Sequence, residues 1–327
     1  MKFVLTQSLC PEGMDRLRRN AGTDATIYVA DDPNPGNYLD QLRNADALIV
    51  RLAKCDAHTI ENCPNLKVIG RTGVGYDSVD VQAANARGIP IVITPGANNR
   101  SVAEHTLAMI FSLAKNLGAA QREMLRGNWE IRNAHRAFEL DGKTVGIIGL
   151  GAIGREVARL CRAVGMRVAG YDPFLTPVQI ETLGVRPYTD YRELLEAADV
   201  VTLHIPLTEQ TKNIIGRNEL NLMKPTSLLI NCSRGGIVDE TALLDALQSG
   251  KIAGAGLDTF LHEPPSPEDP LFSAPNLLVS PHAAAQTREA VVRMAEMCVD
   301  GCLAVCRGER WPHVADPLVY QNGRWSN

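Results

Sequence analysis

At 327 residues the chain is long enough for two domains of roughly 150 residues, and its 45% hydrophobic content fills two cores. A net charge of −4 leaves no basic footprint for nucleic acid and no polybasic membrane patch, and no apolar run approaches the ~18 residues of a membrane span. The opening M-K-F-V-L-T-Q-S-L-C turns polar after three apolar residues, too short for a secretion signal, so a cytoplasmic chain is expected.

The first hundred residues alternate short apolar runs with amphipathic segments. Strands are predicted at Phe3 to Leu5, Thr26 to Val29, Ala47 to Val50, Leu66 to Ile69 and Ile89 to Ile93, with helices near Glu12 to Arg19, Tyr38 to Arg43 and Val79 to Ala86. Strands alternating with helices imply a parallel sheet covered on both faces. A domain boundary is expected near Pro95 to Arg100. From Ser101 the run S-V-A-E-H-T-L-A-M-I-F-S-L-A-K-N-L reads as a long helix, with Ser101 as N-cap and Glu104 completing a capping box. It is apolar nearly all round, so burial between domains or subunits is expected, and a homodimer with it.

The stretch from Lys143 to Asp172 organises the rest of the chain. Thr144 to Ile148 is an apolar strand; Gly149, Gly151 and Gly154 follow at the spacing G-x-G-x-x-G; Val157, Leu160 and Cys161 continue at helical spacing. A second strand, Met166 to Tyr171, ends in Asp172. Strand, glycine turn, helix and a strand ending in an acid are the parts of a dinucleotide site. The glycines admit a tight turn, a pyrophosphate and close packing, while the acid accepts from ribose hydroxyls. NAD is expected over NADP, because no Arg or Lys lies between Ala169 and Leu175 to neutralise a 2′-phosphate.

Further strands are predicted at Val200 to His204, Ser227 to Asn231, Ile252 to Leu257 and Leu277 to Val279, with helices near Pro177 to Leu183, Tyr191 to Glu196 and Asp239 to Gln248. A last helix, Thr287 to Cys306, leads to a tail expected to pack back on the first domain. The reading is α/β, two doubly wound domains: a substrate-binding domain of residues 1–99 and 288–327, and an NAD-binding Rossmann domain of residues 100–287 inserted into it. The eight cysteines show no C-x-x-C spacing, no metal site is expected, and Cys298, Cys302 and Cys306 at i, i+4, i+8 read as core packing.

Three residues at strand ends or in the loops after them suit one reaction. Interconversion of a 2-oxo and a 2-hydroxy acid needs hydride transfer, a proton donor for the forming alkoxide and a cation on the substrate carboxylate. His282, after V-S-P, supplies the proton. Glu263, in D-T-F-L-H-E-P-P, holds and tunes its imidazole, and Arg234, before Gly235 and Gly236, clamps the carboxylate.

At these residues the chain resembles the D-isomer-specific 2-hydroxyacid dehydrogenase family, which includes D-3-phosphoglycerate dehydrogenase and the glyoxylate/hydroxypyruvate reductases. The resemblance covers R-T-G-V-G-Y-D-S-V-D (71–80), T-P-G-A-N-N-R-S-V-A-E-H-T (94–106), G-L-G-A-I-G-R-E-V-A (149–158), H-I-P-L-T (204–208), N-C-S-R-G-G-I-V-D-E (231–240), G-L-D-T-F-L-H-E-P-P (256–265) and S-P-H-A-A-A-Q-T (280–287). It implies Arg234, Glu263 and His282 as the catalytic set. It implies cofactor contacts at Gly149, Gly151, Ala152, Ile153, Gly154, Asp172, Ile205, Cys232 and Asp258, the last near the nicotinamide carboxamide. Val74, Gly75 and Asn98 are implied to contact the substrate carboxylate or the cofactor. The implied fold is a flavodoxin-like substrate domain plus a Rossmann domain, usually as a dimer.

The chain departs from the family at Ala283 and Ala284, where an apolar residue and glycine are common, and at Ala137, often glycine. It ends at Asn327, so serine feedback through an added regulatory domain is not expected. Arg51 aligns with an arginine that touches substrate in phosphoglycerate dehydrogenase-like members, and a second cation suits a dianionic substrate. Arg132 and His135 are further candidates to border the cleft, from this chain or from a neighbouring subunit. A D-3-phosphoglycerate dehydrogenase-like enzyme is the leading expectation, with glyoxylate/hydroxypyruvate reductase and sulfolactate-type dehydrogenase as alternatives. An NADH-sensing corepressor-like binding protein is the expectation from another class.

Overall fold

The computed structural model describes residues 1–32, 34, 38–51, 53–134 and 137–325, and His135 lies outside them. The chain divides into two units, Met1–Asn98 with Thr287–Asn327, and Asn99–Gln286. Each is built on its own parallel sheet.

In the first unit the strands are β1 (Lys2–Leu5), β2 (Thr26–Val29), β3 (Ala47–Val50), β4 (Val68–Arg71) and β5 (Ile91–Val92), in the order β2-β1-β3-β4-β5. All pair in parallel, and the order reverses between β1 and β3, the doubly wound flavodoxin-like arrangement. β3, Ala-Leu-Ile-Val, is buried along its whole length, as a central strand covered on both faces must be. The helix Arg288–Cys306 covers one face beside the helix Pro11–Ala21, joined by Arg16 Nε to Asp300 at 2.7 Å. Cys298 and Cys302 are fully buried on that face. A β-carbon on Gly70 would stand 2.7 and 2.4 Å from their sulfurs, so the thiols occupy the space the glycine leaves. The tail closes on β5 through a bridge between Val92 and Val314.

The second unit carries β6 (Thr144–Ile148), β7 (Arg167–Tyr171), β8 (Arg186–Pro187), β9 (Val200–Leu203), β10 (Leu228–Asn231), β11 (Gly254–Leu257) and β12 (Leu277–Val279). Their order is β12-β11-β10-β9-β6-β7-β8, all parallel, reversing between β6 and β9. That is the dinucleotide-binding order, and its crevice opens where the direction reverses, at the carboxyl ends of β6 and β9.

Two expectations need correction. The long helix runs from Asn99 to Ala114, two residues before the predicted cap, so Ser101 is not its N-cap. Its hydroxyl donates instead to Ala284 O at 2.6 Å, and Glu104 pairs with Arg100. Its buried face packs within the second unit. Met109 Sδ and Leu113 Cδ1 reach within 3.2 and 3.4 Å of where a β-carbon on Gly256 would lie, against β11. The strand expected from Leu66 begins at Val68, because Leu66 N–H closes a turn on Cys63 O.

Candidate active site

The glycine turn after β6 is shaped by three different steric demands. Gly149 sits at φ +94°, and a β-carbon there would lie 2.4 Å from His204 O beyond β9, so only glycine lets the two strand ends close up. Gly154 faces Gly149 O, where a β-carbon would stand at 2.0 Å; this is the close packing of helix on turn. Gly151 has nothing within 4 Å of that position. It precedes the helix Ala152–Ala163, whose start has no side-chain cap, leaving first-turn N–H groups without a side-chain acceptor among the described residues. An uncapped helix N-terminus above an open glycine fits a pyrophosphate.

Asp172 follows β7. Its Oδ2 accepts from Leu150 N and its Oδ1 from Phe174 N, each at 2.9 Å, which locks the carboxylate beside the glycine turn with a lone pair left on each oxygen. Ala152 is exposed, and Ile153 and Ile205 are half-buried around the same crevice. Cys232 behaves differently. Its thiol is buried against Met109 Sδ at 3.7 Å, and burial pushes its pKa up to about 12.

Arg234 is delivered by a knotted turn after β10. Asn231 Oδ1 accepts from the Ser233 N–H and hydroxyl, while its Nδ2 donates to Arg234 O at 2.8 Å. Next in the chain, a β-carbon on Gly235 would fall 1.9 Å from Phe260 O, so this turn lies directly on the loop that carries Glu263. Glu263 Oε1 accepts from Phe260 N at 3.1 Å, and Oε2 meets His282 Nδ1 at 2.6 Å. Burial alone would raise the Glu263 carboxyl. The hydrogen bonds from His282 and Phe260 and the charges of His282 and Arg234 outweigh it and hold the group below the usual carboxylate range. An ionised Glu263 accepts only, so Nδ1 carries a proton and Nε2 is the imidazole atom open to chemistry.

His282 adopts φ +50°, disfavoured for a residue with a side chain. Asp258, fully buried at the end of β11, holds this turn. Its carbonyl accepts from His282 N at 2.8 Å, and its carboxylate accepts from Ala283 N, Ala284 N and the Ser280 hydroxyl. The two alanines at which the chain departs from the family pattern are therefore tied down by their backbone. Residue pattern alone missed Asn231, Ser280, Ser101 and His105, which position these loops. Their signal was present in N-C-S-R-G-G, S-P-H and A-E-H-T but identifies no role without the fold.

Of the remaining candidates among the described residues, Arg132 lies in the second unit, in the 3-10 turn Trp129–Ala134, and the others in the first. Arg51 follows β3, Val74 and Gly75 follow β4, and Asn98 follows β5, all at the carboxyl edge of that sheet. Asn98 is buried and its Oδ1 has no partner among the described residues. Arg71, the last residue of β4, stands at the same edge and donates to Thr72 O at 2.7 Å.

Residues 107–284 match the family model for the D-isomer specific 2-hydroxyacid dehydrogenase, NAD binding domain. The chain is 38% identical over 94% of its length to D-3-phosphoglycerate dehydrogenase of Archaeoglobus fulgidus, but spans only 58% of that protein. It is 38% identical to glyoxylate reductase of Korarchaeum cryptofilum over 97% of this chain and 96% of that one. The crystal structure of D-lactate dehydrogenase from Aquifex aeolicus complexed with NAD and lactic acid superposes with a TM-score of 0.84 at 29% identity, covering 94% of this chain and 96% of that one.

Proposed function

Because this chain belongs to the D-isomer-specific 2-hydroxyacid dehydrogenase family, we propose that it interconverts a small 2-hydroxy acid and its 2-oxo acid with NAD. The observation that carries the reading is the 2.6 Å pair of His282 Nδ1 with Glu263, with Arg234 close enough to lower the same carboxyl.

The glycine turn, the bare helix N-terminus and Asp172 are the residues that would hold NAD, which supplies the hydride acceptor or donor when bound. The locked Asp172 carboxylate favours a ribose 2′-hydroxyl and repels a 2′-phosphate, which supports NAD over NADP. In reduction, His282 Nε2 gives its proton to the forming alkoxide; in oxidation it takes the hydroxyl proton. Glu263 keeps the Nδ1 proton in place and stabilises the imidazolium. Arg234 binds the substrate carboxylate and polarises the adjacent carbonyl. Arg51, Val74, Gly75 and Asn98 are the proposed substrate contacts from the first unit.

For the substrate we propose a dianion of the phosphoglycerate type, supported by Arg51 as a second cation. Similarity along nearly the full length of a glyoxylate reductase favours a second reading, a general small-acid reductase. NADH oxidation across glyoxylate, hydroxypyruvate, pyruvate, phosphohydroxypyruvate, sulfopyruvate and oxaloacetate separates them. A strong preference for a dianion that Arg51→Ala removes supports the first reading. Equal losses on glyoxylate and on the dianion count against it. No turnover with intact NADH binding would leave the corepressor-like reading.

A homodimer is part of the proposal. The helix Leu117–Leu125 has no buried residue, and Leu125 and Trp129 are 81% and 58% exposed, so this apolar segment lacks cover among the described residues. Light scattering showing a monomer at micromolar concentration would remove that part.

A further inference from the structure

We propose that His105 and Ser280 form a positioning relay that sets the catalytic turn carrying His282. The proposal rests on the dehydrogenase reading for its rate consequences but on geometry for the relay itself.

Ser280 Oγ lies 2.5 Å from Asp258 Oδ1 and 2.9 Å from His105 Nε2. A hydroxyl has one proton, and the buried carboxylate can only accept it, so the Ser280 proton points at Asp258. Toward His105 the oxygen must then accept, which places a proton on His105 Nε2. The order of donation is His105 Nε2–H to Ser280 Oγ–H to Asp258 Oδ1. This direction is the reverse of a serine activated by a histidine base, so Ser280 is not a nucleophile.

The relay matters because of what Asp258 holds. Its side chain is fully buried, and its oxygens accept from Ser280, Ala283 N and Ala284 N. Without the His105 N–H the Ser280 hydroxyl loses the bond that fixes its orientation, and a buried carboxylate whose donor turns away moves toward the others it binds, all in the turn from Ser280 to Ala284. His282 in that turn sits at φ +50°, a conformation that persists only where its surroundings over-determine it. His105 Nε2 also stands 3.6 Å from Asp258 Oδ1, so the imidazole braces the oxygen to which Ser280 donates. The helix Asn99–Ala114 thus fixes the turn at two points, His105 on Ser280 and Ser101 on Ala284 O. His105 touches neither Glu263 nor Arg234 through any hydrogen bond or ion pair seen among the described residues, so its influence passes through Ser280 and Asp258.

The test compares His105→Leu, which removes the donor, with His105→Gln, whose amide N–H restores one, and combines each with Ser280→Ala. Two readouts are taken. Steady-state kinetics with NADH and the preferred 2-oxo acid should show kcat about tenfold lower in His105→Leu, the KM for NADH within about twofold, and kcat in His105→Gln within about threefold of the parent. Adding His105→Leu to Ser280→Ala should cost little more than Ser280→Ala alone. Hydrogen exchange read by mass spectrometry should show the peptide spanning 280–286 exchanging about tenfold faster in His105→Leu and at the parent rate in His105→Gln, with β6 and β7 unchanged. Unchanged exchange in His105→Leu, or His105→Gln behaving like His105→Leu, overturns the relay. If the parent protein reduces none of the 2-oxo acids, the functional reading fails, while the exchange measurement still decides the relay.

Discussion

Replacing Glu263 with Gln removes the negative charge behind His282 while keeping an acceptor for Phe260 N–H. The lost term is the charge on a 2.6 Å hydrogen bond to an imidazole that becomes positive during oxidation. A hydrogen bond to a charged partner is worth about 1.5–3 kcal/mol, or roughly 10- to 150-fold in rate. Both side chains are about one-third exposed, at 36% and 34%, so solvent screening places the expected fall in kcat at the lower end, about 10- to 50-fold. The pH dependence follows from the sign of the Glu263 shift. Its folded pKa is depressed, so the ionised pair is complete above the ordinary value of 4.5 and is lost only as pH falls through the depressed value. Protonation of Glu263 itself should therefore leave wild-type turnover unaffected from neutral pH down to about pH 5 and remove its advantage over Glu263→Gln only below that. NADH oxidation measured for both proteins across that range checks this. A ratio of wild-type to variant turnover near one at neutral pH would refute the reasoning.

Two further substitutions separate cofactor space from packing. Gly151→Ala adds a methyl where nothing lies within 4 Å, so the midpoint of thermal unfolding should move by less than about 3 °C while NADH affinity falls at least about tenfold. Gly154→Ala drives a methyl into Gly149 O and should cost about 1–3 kcal/mol of stability in denaturant unfolding. Glu156 is held down at about 2, first by its hydrogen bonds to Arg159 and then by those to Arg100, from an ordinary 4.5. Its stabilisation is complete above pH 4.5 and fades as pH falls toward 2. Because the arginines are about half exposed, Glu156→Gln should cost only about 1 kcal/mol at neutral pH, and less at about pH 3. Denaturant midpoints at the two pH values measure it.

The fold class was legible because both sheets are written in local pattern. Thr26–Val29, Ala47–Val50, Thr144–Ile148 and Leu277–Val279 are short apolar runs whose ends coincide with the strands. Elements without such a pattern were not legible. β8 is two residues long, the helix Arg217–Leu222 spans six, and the helix Leu117–Leu125 buries no residue among those described, so no core contact marks it. Ser101 illustrates a local signal overridden by a tertiary one: S-x-x-E looks like a capping box, yet the hydroxyl is taken by the Ala284 carbonyl across 183 residues. At the candidate site, the glycine spacing was readable because each glycine answers a steric demand within one turn. The pairings that place His282 were not, since Ser280 on Asp258 and His105 on Ser280 join residues 22 and 175 positions apart.

The most direct test of the account is His282→Ala, with NADH oxidation by the preferred 2-oxo acid and NADH binding by fluorescence titration measured on the same preparation. Loss of a positioned general acid should lower turnover by about 10²- to 10⁴-fold, while the affinity for NADH stays within about twofold, because the glycine turn and Asp172 are untouched. Turnover near the wild-type rate, or loss of NADH binding together with turnover, would contradict the role assigned to His282.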